Sequence, residues 1–152
     1  MNEPKMNPVR DRRVMDAALL ILRVVAGVIF AAHGAQKLFG AFGGSGLSKT
    51  VEFMGPIGYL VTIGEFFGGL GLIVGFLCRF SAASLIVIMI GAIVKVHGPK
   101  GFFLSAGGYE YNLALIGLLA PILLVGPGWF SLGRCLPLPK SSRTGQSMAV
   151  FE

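Results

Sequence analysis

Arg23 and Glu65 are the residues of this chain whose type and position most call for chemistry. Each interrupts an apolar run: "DAALLILRVVAGVIFAAHG" holds the arginine and "IGYLVTIGEFFGGLGLIVGFLC" the glutamate. A charged side chain inside such a run faces a bundle interior or a cavity, because exposure to lipid is costly. With ~1.5 Å of rise per residue, Arg23 lies about 10 Å along the first run and Glu65 about 13 Å along the second. For antiparallel neighbours crossing a core about 30 Å thick, the two depths differ by about one helical turn. The spacing therefore predicts an interior Arg23–Glu65 ion pair. Two roles are open to it: fixing helix register, or proton transfer and binding of a polar ligand.

A second group gathers near the ends of the runs. In "AAHGAQKLFGAFGG" the apolar run closes on His33, and Lys37 follows. Lys95, His97 and Lys100 stand at the end of a third run, and Glu110 opens a fourth. Arg23, Gly27, Phe30, Gly34 and Lys37 repeat along one helical face; Gly58, Thr62, Glu65 and Gly69 do the same on the second run. Histidine exchanges protons near neutral pH, so His33 and His97 suit a polar cavity; plain interfacial placement is the alternative. Two histidines without a local set of further ligands do not make a haem or metal site, and no metal is expected. Glu110 either stands at a cavity mouth or complements a helix N-terminus. The loop "GAFGGSG" lacks the following GK[ST] and the preceding strand of a phosphate loop. Cys78 and Cys135 lack the close spacing of a redox or metal pair.

The elements that must position these groups are membrane elements. The chain is 54% hydrophobic and 13% charged, with mean hydropathy +0.76; soluble domains carry about 25% charged residues. Four runs, at 16–34, 57–78, 80–97 and 110–130, come near the roughly 20 residues a span requires. Backbone groups in lipid must pair internally and barrel-like alternation is missing, so the runs read as helices. Asp16 reads as the first helix start. Residues 1–15 and 134–152 read as tails, and "LSKTVEFMG" as an interfacial or re-entrant part of the first loop. The first run contains Arg23 and lacks a cleavage site, so it reads as a retained span.

Lysine and arginine placement gives the orientation. Lys5, Arg10, Arg12, Arg13, Arg79, Arg134, Lys140 and Arg143 outnumber Lys37, Lys49, Lys95 and Lys100, which puts both termini in the cytoplasm. Both cysteines then fall on the reducing side, where a structural disulfide is not expected. His33, Lys37, His97 and Glu110 fall on the opposite side. The net charge of +6 follows from these flanks and not from a nucleic-acid motif, so no nucleic-acid partner is expected. Gly64, Gly68, Gly71 and Gly75 give the second span another small-residue face, suited to packing within the bundle or to a dimer seam. Tyr109 and Trp129 read as interfacial anchors.

Several stretches resemble the DoxX family of small four-helix membrane proteins. They are "LRVVAGVIFAAHGAQKLFGAFGG", "GEFFGGLGLIVGFLCRFSA", "HGPKGFF", "GGYEYNLAL" and "GPGWFSLGR", and the resemblance covers roughly Leu19 to Arg134. Gly133 stands where the family often has the aspartate of "SLD". The resemblance implies an integral bacterial membrane protein, with motif positions at Arg23, His33, Gly34, Lys37, Glu65, Arg79, Glu110 and Tyr111. It transfers no catalytic role to any of them. It further implies a link to thiosulfate oxidation with quinone reduction, or membrane partnership with soluble redox enzymes. Covalent haem and iron–sulfur motifs are absent from the sequence, whereas a quinone needs only an apolar slot and one or two polar groups.

The resulting expectation is an all-α integral membrane four-helix bundle of the bacterial inner membrane, with both termini cytoplasmic. Its leading function is a redox-associated membrane subunit. Arg23 and Glu65 floor an outward-facing pocket, and His33, Lys37, His97, Glu110 and Tyr111 form its mouth. A quinone or a small polar or anionic molecule would occupy it. In isolation the chain is not expected to act as an enzyme; a subunit role in a quinone-linked oxidoreductase fits it better. Expected partners are the lipid bilayer, further copies of the chain, or other membrane or soluble redox subunits. An accessory or scaffold subunit docking through the glycine faces is the alternative. A small transporter is disfavoured by the lack of inverted repeats.

Overall fold

The computed structural model describes residues 8–134, and among them the chain is all-helical, with no strand. The α-helices are α1 (Pro8–Phe39), α2 (Gly46–Met54), α3 (Ile57–Val74), α4 (Cys78–Ala92) and α5 (Glu110–Val125). Four of them pack in a ring: α1 on α3, α3 on α4, α4 on α5, and α5 back on α1. The short α2, formed from the segment read as interfacial, lies against α1 and α3. α1, α3, and α4 with its extension to Lys100 are long and apolar enough to cross a membrane. α5 is a shorter apolar helix of 16 residues.

Glycine decides how closely these helices approach. A Cβ on Gly69 would come within 2.4 Å of the Ala31 nitrogen, and one on Gly34 within 2.4 Å of the Phe66 nitrogen. The α1–α3 crossing is thus backbone against backbone, the arrangement small residues permit where lipid removes the hydrophobic drive for association. The other face of α3 is used in the same way. Gly64, Gly68 and Gly71 look onto Ile88, Leu85 and Ser81 of α4. Both glycine faces of α3 therefore pack within the bundle, while Leu60, Ile63, Phe67 and Leu70 form its exposed side. Gly75 ends α3 with φ +79°, where a Cβ would meet Arg23 Nη1 and Ser131. Phe30, Leu72, Leu85, Leu119 and Ile122 fill the centre, while Ile21, Val28, Leu60, Phe67, Val87 and Leu124 point outward.

Helix boundaries depart from the hydropathy reading at both ends of the bundle. α1 begins at Pro8, because a proline in the first turn and Asp11 beside it favour a start there. Residues 8–15 are therefore helical, with residues 9–15 exposed. Asp16, expected to start the helix, instead accepts the Trp129 backbone N–H at 2.8 Å. α1 also continues past Gly34 to Phe39. α3 stops at Val74, and Cys78 opens α4 instead of closing the second span. α5 stops at Val125, and the chain after it turns back onto the ends of α1 and α3. Lys5, Cys135, Lys140 and Arg143 lie outside the described residues.

Candidate functional site

Arg23 is buried, 2% exposed, at the end of the bundle that carries the N-terminus. Its guanidinium donates to the carbonyls of Pro127, at 3.2 Å, and Phe130. Arg79 donates from the start of α4 to the Leu124 carbonyl at 2.6 Å. Final helix carbonyls lack partners within the helix and carry the negative end of its dipole, so cations there are stabilising. The Gly133 N–H adds a bond to the Gly75 carbonyl at 3.2 Å. The stretch "GPGWFSLG" is thereby held to the bundle by Asp16, Arg23 and Gly75.

The expected Arg23–Glu65 pair does not form. The Gly27–Gly69 and Gly34–Phe66 contacts set the α1–α3 register, and this places Glu65 beside the last turns of α1. Lys37, about 21 Å along the helix from Arg23, takes the glutamate instead. Its Nζ donates to both carboxylate oxygens, at 2.5 and 2.6 Å. Glu65 is 2% exposed, and a buried carboxylate of this kind persists only when paired. α1 extends beyond both Asp16 and Gly34, and its crossing with α3 sets Arg23 level with Gly75 and not with Glu65.

Around the Lys37–Glu65 pair lies a cavity of about 210 Å³, at the end of the bundle away from the N-terminus. Its polar lining comes from four elements: His33 and Lys37 on α1, Glu65 on α3, His97 beyond α4, and Tyr111 with Asn112 on α5. Phe30, Met89, Ala92, Leu104 and Leu115 supply apolar wall. Five residues singled out in the sequence, His33, Lys37, Glu65, His97 and Tyr111, thus meet in one place. Arg23 and Glu110 do not join them. The Glu110 carboxylate accepts the Leu104 N–H at 2.9 Å, reaching back from the first turn of α5 to the loop that covers the cavity. Its expected place at the mouth is corrected to an anchor for that loop. Asn112 was missed; it is buried, and its amide donates to Met89 Sδ at 3.4 Å. An amide within an apolar run was the available signal.

A local irregularity brings His97 to the cavity. α4 gives way to a π-helical turn over Ile93–His97, followed by a 3-10 turn over Gly98–Lys100. Such turns insert a residue into the helical repeat, re-aim side chains, and recur at functional sites. His97 Nδ1 lies 2.7 Å from the Gly107 carbonyl oxygen. A carbonyl only accepts, so Nδ1 carries the hydrogen and Nε2 is the nitrogen left for other partners. On the opposite wall the His33 ring meets Tyr111 edge to face, with centroids 6.1 Å apart.

An apolar helical bundle that gathers a buried glutamate, its partly exposed lysine partner, a half-buried His97 and an exposed His33 around one pocket defines a helical membrane protein with a polar pocket at one end. Comparison with known proteins makes the class specific. The chain belongs to the DoxX family, whose model matches residues 18–98, just over half of its length. It is 31% identical over 102 residues to "Putative oxidoreductase CatD" of Bacillus subtilis (strain 168), an alignment covering 63% of this chain and 71% of that one. It is 27% identical over 128 residues to "Inner membrane protein YqjF" of Escherichia coli (strain K12), covering 82% and 96% respectively. No solved structure gives a significant match. The family match includes His33, Lys37, Glu65 and His97, while Tyr111 and Asn112 fall beyond it.

Proposed function

We propose that this chain is an inner-membrane subunit of a redox system and that its cavity holds a quinone headgroup. The observation that carries this reading is the cavity's mixture of walls. Phe30, Met89 and Leu115 offer an apolar slot, and Lys37, His33, His97, Tyr111 and Asn112 ring it with hydrogen-bonding groups. Drug-sized ligands occupy pockets of roughly 300–1,000 Å³, so about 210 Å³ suits a single substituted ring with its tail lying outside. When bound, a quinone supplies two-electron, two-proton chemistry. The protein's part is to orient the carbonyls with its donors, exclude water with the apolar wall, and offer histidine as a proton-exchanging group. The electrons would come from a partner subunit, which agrees with the oxidoreductase in the name of CatD.

The same proposal has all four long helices crossing the bilayer. α5 rises about 24 Å, short of the ~30 Å core, and the 126–134 segment completes its depth. An even number of crossings puts both termini on one side, and the distribution of lysine and arginine makes that side cytoplasmic. The cavity then opens outward. Docking of a larger complex through the α3 glycines loses its support, because those faces pack on α1 and α4. The test is chemical: organic extracts of the purified chain should contain quinone, and Glu65→Gln should lower its amount several-fold. Extracts free of quinone, together with redox assays indifferent to Glu65→Gln, would refute the reading.

A further inference from the structure

Charge is the property by which this cavity can choose among ligands. Lys37 and Glu65 are the lysine and the carboxylate of its lining, and they cancel one another. The ammonium is engaged by both carboxylate oxygens, at 2.5 and 2.6 Å. Much of the remaining wall is carbon and sulfur, from Phe30, Met89, Leu104 and Leu115. An oxyanion entering this space would lose part of its hydration against the apolar wall. It would then meet a lysine already neutralised by a carboxylate fixed closer than the anion could come. A neutral carbonyl compound loses far less water and can still accept from the ammonium, an imidazole or the Asn112 amide.

We infer that Glu65 sets the charge class of the ligand: by holding Lys37 it makes the cavity admit uncharged hydrogen-bonding molecules and reject oxyanions such as thiosulfate. The identity of the neutral ligand rests on the quinone reading above. An anionic electron donor would then bind elsewhere than in this cavity. Glu65→Gln keeps the size of the side chain and removes its charge, leaving Lys37 as an unmatched cation at the same place. That change should convert the cavity into an anion site.

The experiment is equilibrium dialysis of the full-length chain in detergent at about pH 8, where free imidazole is neutral. A short-chain benzoquinone and radiolabelled thiosulfate serve as probes. Wild type is expected to retain the quinone, to take up no thiosulfate saturably, and to keep its quinone when thiosulfate is added. Glu65→Gln is expected to bind thiosulfate at least about tenfold more tightly than wild type, since an unmatched charge at contact distance is worth more than that factor. Adding Lys37→Gln to it should abolish the gain. Saturable thiosulfate uptake by wild type, displacement of quinone by thiosulfate, or a folded Glu65→Gln without the gain would each overturn the inference. If Glu65→Gln does not fold, the wild-type displacement measurement decides alone. Wild type that retains no quinone would refute the quinone reading, and the thiosulfate arms would still judge the charge rule.

Discussion

Two cations in α1, Arg23 buried and Lys37 partly exposed, have opposite employment. Arg23 binds main-chain carbonyls and holds the segment after α5, whereas Lys37 binds a carboxylate inside the cavity. The separation predicts distinct phenotypes. Arg23→Met removes charged donors from two carbonyls and should destabilise the detergent-solubilised protein by about 2–4 kcal/mol, seen as a lowered thermal midpoint. The folded fraction should still take up ligand, because the nearest cavity residue on α1, Phe30, is about 10 Å away along the helix and Lys37 about 21 Å. Loss of ligand uptake at unchanged stability would show that Arg23 serves the cavity after all. The sequence made both charges conspicuous but not their partners. A partner depends on where helices touch, and hydropathy locates a membrane boundary only to within a turn or two. Five of the expected cavity residues were legible because charged, imidazole and phenol groups stand out at the ends of apolar runs. Asn112 was not, since a lone amide carries a weaker signal.

At the scale of the element, glycine placement governs the bundle, and not all glycines are equal. Gly34 sits where a Cβ would press on the Phe66 backbone, while Gly117 on α5 has open space around it. Gly34→Ala should therefore cost about 1–3 kcal/mol or more through forced separation of α1 and α3, together with loss of the Lys37–Glu65 geometry. Gly117→Ala should stay within about 0.5 kcal/mol of wild type. Equal effects in thermal unfolding would contradict the assigned crossing. The loop over the cavity gives another expectation. His97→Ala removes the bond to the Gly107 carbonyl, so amides between Gly101 and Tyr109 should exchange with solvent several-fold faster by mass spectrometry, with α3 unaffected. Helical periodicity made the small-residue faces readable, but not which helix each face meets. The π turn at Ile93–His97 was beyond reach, because a single inserted residue leaves the apolar pattern almost unchanged.

For the whole molecule, the all-helical character and the membrane setting followed from composition, and the ring order α1–α3–α4–α5 came only with the structure. Composition fixes the solvent of a helix; neighbour order depends on crossings between residues far apart in sequence. The proposed topology makes a direct prediction. Alkaline phosphatase fused after Phe103 should be active, and a green fluorescent protein fused to the C-terminus should fluoresce; the reverse pattern would turn the cavity toward the cytoplasm. The claim on which the functional account depends is that the cavity between α1, α3, α4 and α5 takes a quinone headgroup. Photo-crosslinking of membranes containing the full chain with an azido-quinone, followed by peptide mapping, tests it most directly. Adducts are expected on the segments bearing His33 and Lys37 or Tyr111 and Asn112, suppressed by excess unlabelled quinone. Labelling confined to outward-facing residues such as Phe67 and Leu124, or labelling that unlabelled quinone does not reduce, would contradict it.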